Sequence, residues 1–533
     1  MKKLFIISAL TFVTAISVCG QGVLDALPAI SSQTKGTARY SAMAGAFGAL
    51  GGDLTSIKQN PAGIGVYRFS ELTVTAGFNF TDNTVSSPSR SNSNNEFYFT
   101  GDNMGVVGVI NFREGSLRNL NFGFAYNNIA SFNNTYRADW NNISSSLTQL
   151  IASQASGLGC TPDILDESGS SNPYNDLPWL PVLGYNTNLI YPINAGSTNY
   201  VGIFDYQQSR GDAYLINYTS GGIDEYDFNI SGNVSDVLYW GLTLNVTNID
   251  YRQESYYGEE LQNVNVKDNR NLNGRTSTTN GHFELQNYLR TDGYGTGVKI
   301  GLIYRPISFL RLGIAYHSPT YYTMTDTYSA SVDYKFDKVD GRTLSGNGND
   351  LRNKTDLGNF SYKFSSPWHL LGSIATVIGK SAIVSIDYEL TAAPDMQYSS
   401  PYIDYHYTNQ CINNQSTPIH NVRIGAEYRI TPLWSIRAGY AFESSPMKNE
   451  YFDGVETPQI VEGTIAHYQV PGDVHNISCG VGFRINNINV DAAYVYRMQD
   501  SRIFAFEGAT VGFNPTIMNL HNNSIKLTLG YRF

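Results

Sequence analysis

The feature that most constrains this chain is a period of two. Downstream of residue 68, apolar and polar residues alternate in segment after segment. Leu72, Val74, Ala76, Phe78 and Phe80 fall on one face, and Thr73, Thr75, Gly77 and Asn79 on the other. The same reading holds for Val422, Ile424, Ala426, Tyr428 and Ile430, and for Trp434, Ile436, Ala438, Tyr440 and Phe442. It ends with Ile525, Leu527, Leu529, Tyr531 and Phe533. Successive side chains of a strand point to opposite faces, so the pattern describes sheet with one apolar and one polar side. A soluble antiparallel sandwich alternates as well. Alternation alone therefore leaves two classes open.

Composition separates them. Aromatics make up 13% of the chain and charged residues only 15%, with 38 Tyr, 26 Phe and 50 Gly, whereas an ordinary globular chain is about 25% charged. After the N-terminus no apolar run reaches the roughly 20 residues of a membrane helix. Aromatics gather near the ends of segments long enough to cross a bilayer when tilted. We read the chain as all-β, a transmembrane antiparallel β-barrel of about fourteen strands. Strands begin near Phe69, Glu96, Asn119, Gly222, Leu238, Phe283 and Phe309, then near Asp356, Ser381, Asn421, Leu433, Val474, Asn487 and Asn523. Tight turns such as Arg305-Pro306-Ile307-Ser308, Gly379-Lys380, Thr431-Pro432 and Asn486-Asn487 alternate with long polar segments. The long segments, 137–221, 257–281, 391–419, 444–472 and 499–522, are the expected extracellular loops, and the tight turns are the periplasmic ones. The barrel domain spans 68–533 and ends on Phe533, an outward C-terminal aromatic that resembles the signal outer-membrane barrels present to their barrel-insertion machinery.

Residues 1–20 read as a signal peptide: Lys2-Lys3, an apolar stretch from Leu4 to Val18, and Val18-Cys19-Gly20 before Gln21. Cys19 leaves lipidation as an alternative start. Export permits disulfides, and Cys160 and Cys411 both lie in long polar connections, either bridged or free. The net charge of -10 excludes a basic nucleic-acid stripe. The expected location is the outer membrane of a Gram-negative bacterium, with outer-membrane lipid and lipopolysaccharide as neighbours.

Residues 21–67 do not alternate. Ser41 to Asp53 is almost entirely small residues, and Asn60-Pro61-Ala62-Gly63-Ile64-Gly65 follows. Such a stretch is either a flexible arm or a compact plug inside a lumen that would leak if empty. Gly36-Thr37-Ala38-Arg39, Ala42 to Ala49, Asp53 and Asn60-Pro61-Ala62-Gly63 resemble the hatch of FadL/TodX-type outer-membrane transporters. The resemblance implies a small N-terminal hatch inside the lumen, with Gly45, Phe47, Gly48, Asp53, Asn60, Pro61 and Ala62 as its motif. It implies passive uptake of hydrophobic compounds such as long-chain fatty acids. Capture on extracellular loops would be followed by hatch rearrangement and sideways release at a kinked strand. Some relatives serve secretion or carry haem-related labels. A plugged barrel that partners a secretion or assembly system, or a haem-related receptor, is the alternative.

The residues add their own candidates. Ile143, Leu147, Leu150 and Ile151 recur at helical spacing, and Trp179 and Leu180 sit in the apolar stretch 177–183. Together they are either a groove that captures a hydrophobic small-molecule ligand or a loop packed down over the barrel mouth. The third strand is polar at mid-length, Asn127-Asn128-Ile129-Ala130-Ser131, which suits a kink. Inward parity gives Arg305, Arg311, Asp387, Glu389, Arg423, Glu427, Arg429, Arg437, Glu443, Arg484, Asp491, Arg497 and Arg532, charges expected to pair with one another and with the plug. No nucleophile elbow and no zinc spacing occur, so neither an enzyme, a metal nor a cofactor is expected.

Overall fold

In β1 (Glu71–Ser86) Leu72, Val74 and Phe80 are 46–47% exposed while Thr73, Thr75, Asn79 and Thr81 are buried. The apolar face looks outward and the polar face inward, the reverse of a water-soluble sheet and the arrangement a bilayer requires. The computed structural model describes residues 21–87, 90–169, 172–271, 274–379, 381–459, 463–506 and 515–533. The expected signal peptide and the middle of the 499–522 loop lie outside them.

The strands that follow are β2 (Ser91–Asn111), β3 (Leu117–Ser131, resuming as Asn134–Trp140), β4 (Arg210–Val234), β5 (Leu238–Val266) and β6 (Ser277–Ile307). Next come β7 (Leu310–His317, resuming as Tyr321–Val339), β8 (Gly358–Ser365, resuming as His369–Ile378), β9 (Ala382–Thr391) and β10 (Ile419–Arg429). The set ends with β11 (Trp434–Glu443), β12 (Tyr468–Ile485), β13 (Ile488–Phe504) and β14 (Thr516–Arg532). Each pairs antiparallel with its neighbour, and β1 closes on β14 from Glu71↔Arg532 to Ser86↔Ile517. The result is a closed barrel of fourteen strands. Its periplasmic turns are short. Ser235 and Asp236 take positive φ (55° and 62°) between β4 and β5, the backbone of a type I′ hairpin.

The loop boundaries differ from expectation. β4, β5 and β6 contain 25, 29 and 31 residues, far more than the roughly ten that cross a membrane. In β5 the outward positions change from Leu242, Leu244 and Val246 to Asp250, Arg252 and Glu254, all solvent-compatible. The strand therefore leaves the bilayer near Asn248 and continues outside it. Most of the segment assigned to a 257–281 loop is strand, and β4 begins at Arg210, inside the 137–221 segment. These extensions were hard to read because both faces carry polar groups once lipid no longer bathes one of them.

The N-terminal segment is enclosed by the barrel. It begins with a 3₁₀ turn (Leu24–Ala26) that runs into a helical turn (Leu27–Ile30), then contains two further short helices, α1 (Ala38–Ala42) and α2 (Ser56–Gln59), and a 3₁₀ turn over Pro61–Val66. Ala42, Met43, Phe47, Ile57 and Ile64 are fully buried. Glycines of the wall let backbone meet backbone: a Cβ at Gly439 would lie 2.4 Å from Met43 C, and one at Gly241 2.3 Å from Pro61 C. Above the barrel, α3 (Leu147–Gly157) and α4 (Trp179–Asn186) pack with the strand extensions around one apolar core that includes Trp140, Leu183, Leu215, Phe283 and Phe336.

Candidate functional site

The lumen holds a cavity of about 470 Å³ between the N-terminal segment and the extracellular cap. Leu24, Leu27 and Ile30 line it from the segment, Ile249 and Met324 from the wall, and Trp179 from the cap. Beneath lies a chamber of about 160 Å³ with a charged lining that includes Lys58, Glu225, Lys299, His317 and Arg423. Residues 29–34 line both spaces and form the partition. The upper space is larger and more apolar than the lower one, although Asp25, Lys35, Asp326, Glu443, Arg497 and Lys526 also line it. His467, just before β12 on the cavity wall, is pushed down to about 4 by burial, so its imidazole is neutral at neutral pH.

The wall beside the cavity is incomplete. β2 and β3 pair only from Asn103↔Asn127 to Asn111↔Asn119, although β2 continues along β1 to Ser91. The β3–β4 register shifts between Asn128 and Ala130, the strand stops at Ser131, and it resumes at Asn134 paired to β4 alone. Side chains bridge what backbone does not: Asn83 Nδ2 donates to Thr135 O at 3.0 Å, and Asn92 Nδ2 to Asp139 Oδ2 at 2.7 Å. The plug fills the break from inside. Gln33 N donates to Ile129 O at 3.1 Å, its Nε2 donates to Ser131 O at 3.0 Å, and Lys35 Nζ donates to Asn128 Oδ1 at 2.5 Å. Tyr98, Ser131, Phe132 and Asn134 line the cavity here, so the space reaches the break. The polar stretch at mid-strand is the signal that located it. A β-bulge bends a strand and disrupts its ladder.

A second pair of interruptions, at Pro319 and Pro367, stays sealed. Serine hydroxyls substitute for missing backbone groups: Val298 N donates to Ser318 Oγ at 3.0 Å and Thr320 N to Ser366 Oγ at 2.9 Å. Proline cannot donate to a ladder, and here side chains complete it.

The motif residues converge on the plug–wall contact. Asn60 Nδ2 donates to Gly48 O at 2.5 Å and to Leu302 O at 3.3 Å, while its Oδ1 accepts from Ala62 N at 3.1 Å. Pro61, with φ fixed and no N–H to satisfy, starts the 3₁₀ turn. Gly48 N donates to Asp387 Oδ2 at 2.8 Å. Gly45 has φ +80°, beside the buried Tyr40 ring, a conformation that side chains rarely tolerate. Asp53 accepts from Thr37 Oγ1 and from Thr55 N at 2.9 Å, which ties the two ends of the helical region together.

Several inward charges pair as their parity suggested, whereas Asp387 is held by neutral donors such as Gly48 N and Ser373 Oγ, and Arg497 donates to Gln499 Oε1. Glu427 receives Arg39 Nε of the plug at 2.9 Å and Arg437 Nε at 2.6 Å, and Arg437 also reaches Asp491 at 2.6 Å. Arg423 meets Glu389 at 2.8 Å. Sequence parity missed two buried sets, Lys299 with Glu225 (2.5 Å) and Asp227 (3.4 Å), and Lys526 with Asp102 (2.7 Å). Both lysines sit at inward positions of their strands, which is the signal that would have found them.

The six capture candidates come together, but not as an open groove. Ile143, Leu147, Ile151 and Leu180 are at most 2% exposed and form part of the cap core, with Leu150 and Trp179 partly buried against it. Of the six, Trp179 lines the cavity, its ring 4.8 Å from that of Tyr328. The helix α3 that carries three of them is capped by Ser146 and by Glu259, which accepts from Leu147 N at 2.8 Å and from Tyr257 OH at 2.7 Å. Burial pushes the Glu259 carboxyl up to about 7. Cys160 and Cys411 are unpaired. Among the described residues no group of three metal-ligating side chains converges.

Residues 196–533 match the family model described as outer membrane protein transport protein (OMPP1/FadL/TodX). The match begins in the cap and follows the wall from β4 to β14. Among solved structures, a FadL homologue from Pseudomonas aeruginosa superposes with a TM-score of 0.52 at 13% identity, covering 94% of this chain and 99% of that one, which shows a shared fold. The Pseudomonas putida toluene transporter TodX gives 0.49 at 12% identity, and the Ralstonia pickettii toluene transporter TbuX gives 0.45 at 15%, each with the same coverage. No curated protein matches the chain.

Proposed function

The chain belongs to the OMPP1/FadL/TodX family of outer membrane transport proteins, and from that premise we propose that it passively admits hydrophobic compounds, long-chain fatty acids among them, and releases them sideways into the outer membrane. The carrying observation is the continuity between the 470 Å³ cavity and the break in the β2–β3 ladder. A ligand caught at the cap passes Trp179, lies against Leu24, Leu27 and Ile30, and meets a wall held there by side chains and plug rather than by strand pairing. Release requires the contacts of Gln33 and Lys35 with β3 to open, a rearrangement of the plug's first segment rather than ejection of the whole plug. Sideways exit suits an apolar solute, since the charged chamber below opposes a route straight down.

Native mass spectrometry with lipid extraction on the detergent-purified protein tests this. The expected result is a co-purified apolar ligand that is lost from a Leu27→Asn/Ile30→Asn variant. An empty lumen together with a stoichiometric protein partner would overturn it in favour of a secretion or assembly role.

A further inference from the structure

Gln21 is 1% exposed, deep in the outer half of the lumen. Its Nε2 donates to Asp326 Oδ2 at 2.7 Å and its Oε1 accepts from Tyr405 OH at 2.5 Å. One residue on, Gly22 N donates to Asp25 Oδ2 at 2.8 Å. Asp326 accepts further from Thr291 Oγ1 at 2.6 Å and from Tyr362 OH at 3.2 Å. All of these donors are neutral. Among the described residues no lysine, arginine or histidine forms an ion pair with either carboxylate. Asp326 is 5% exposed, while Asp25 lies open to the cavity. The buried Asp326 carboxylate, in the field of Asp25 and served by neutral donors alone, is costly without a cation.

The sequence supplies a cation at that place. Signal-peptide cleavage before Gln21 would create an α-amine one residue, at most about 3.6 Å of chain, from the Gly22 nitrogen. We propose that cleavage between Gly20 and Gln21 turns Gln21 into an ammonium terminus that pairs with Asp25 and Asp326, and so pins residues 21–35 across the cavity. In the cleavage, water adds to the Gly20–Gln21 peptide bond. The C–N bond breaks, the carboxylate departs with the leader, and the freed amine takes up a proton. The mature chain is then latched by processing itself, because a chain still joined to its leader carries an amide where the ammonium would sit. The terminus stays an open glutamine. Cyclisation, in which the α-nitrogen attacks the side-chain amide carbon and ammonia leaves, would remove both the charge and the Nε2 that Asp326 accepts from. The latch depends on no ligand, so it stands or falls apart from the transport reading.

The test is made on protein processed in cells and purified from the outer membrane. Intact mass and N-terminal peptide analysis should give a chain that starts at Gln21 and has not lost ammonia. Labelling with an N-hydroxysuccinimide ester near neutral pH should modify the α-amine on the order of tenfold more slowly in folded than in denatured protein. Asp25→Asn and Asp326→Asn should each raise the folded-state rate, while Tyr362→Phe, which removes only a neutral donor, should not. A different first residue, a lactam, or equal rates in folded and denatured wild type would each overturn the latch. The wild-type comparison decides the matter even if an aspartate variant does not fold.

Discussion

Replacing Gly241 with alanine tests how tightly the plug is docked. The added Cβ would lie 2.3 Å from Pro61 C, 2.4 Å from Pro61 O and 2.5 Å from Ala62 N, where ordinary contact begins at 3.4 Å. Something must yield by about an ångström, and overpacking of this kind costs about 1–3 kcal/mol. The wall cannot yield readily, since Gly241 is paired on both sides, with Ser231 of β4 and Gly301 of β6. The plug must move, and Pro61 passes the displacement to Asn60, whose Nδ2 holds Gly48 O. Loss of that bond adds about 1 kcal/mol, for a total of about 2–4 kcal/mol. The expected outcome is an earlier unfolding transition in detergent, followed by intrinsic tryptophan fluorescence, and measurable conductance in planar bilayers where the wild type is closed. Gly372→Ala is the control, because nothing lies within 4 Å of a Cβ there. The docking argument fails if Gly241→Ala is as stable and as closed as wild type, or if the control is perturbed to the same degree.

Deleting Ile129 should remove the register shift between Asn128 and Ala130 and let the β2–β3 ladder extend; uptake of an apolar solute should fall while stability holds, and unchanged uptake would exclude this break as the exit. Lys526→Met leaves the Asp102 carboxylate buried and unpaired, at a cost of about 3–5 kcal/mol. Adding Asp102→Leu should restore most of it, and a single variant within about 0.5 kcal/mol of wild type in urea unfolding would contradict the pair's importance. Because burial raises Glu259 from its ordinary 4.5 to about 7, the folded cap binds that proton more tightly than the unfolded chain. Its stability is full below about pH 4.5 and declines as the pH rises to about 7. The protection of α3 amides, relative to the intrinsic exchange rate at each pH, should fall across that window in wild type and stay flat in Glu259→Gln; parallel profiles would refute the assignment. Phe533→Ala should lower the amount of assembled barrel without altering the stability of what assembles, as read from membrane-fraction yield and unfolding midpoint.

The candidate site was legible only in part. The stretch Asn127–Ser131 revealed the interrupted strand because polar residues at mid-strand are conspicuous against lipid. Asn60-Pro61-Ala62 pointed to the plug through its resemblance to a known hatch, since small residues and a fixed φ by themselves suit a flexible arm as well. Ile143, Leu147, Ile151 and Leu180 were just as visible, but helical spacing does not say whether an apolar face meets a ligand or a neighbouring sheet. In the structure it meets the strand extensions.

What the sequence determined by itself is what each strand decides alone: which residues face lipid, which face the lumen, how many crossings there are, and where the tight turns fall. A period of two is a local property, and the bilayer imposes it on every crossing separately. The tertiary structure decided what depends on register between distant segments. Lys526 finds Asp102, Gln21 finds Asp326, and residues 29–34 divide the lumen, because closure of β1 on β14 sets which inward positions share a level. One residue of slip would carry every inward group to the lipid face. The cavity, its partition and its side opening are therefore properties of the closed barrel, and no single strand contains them.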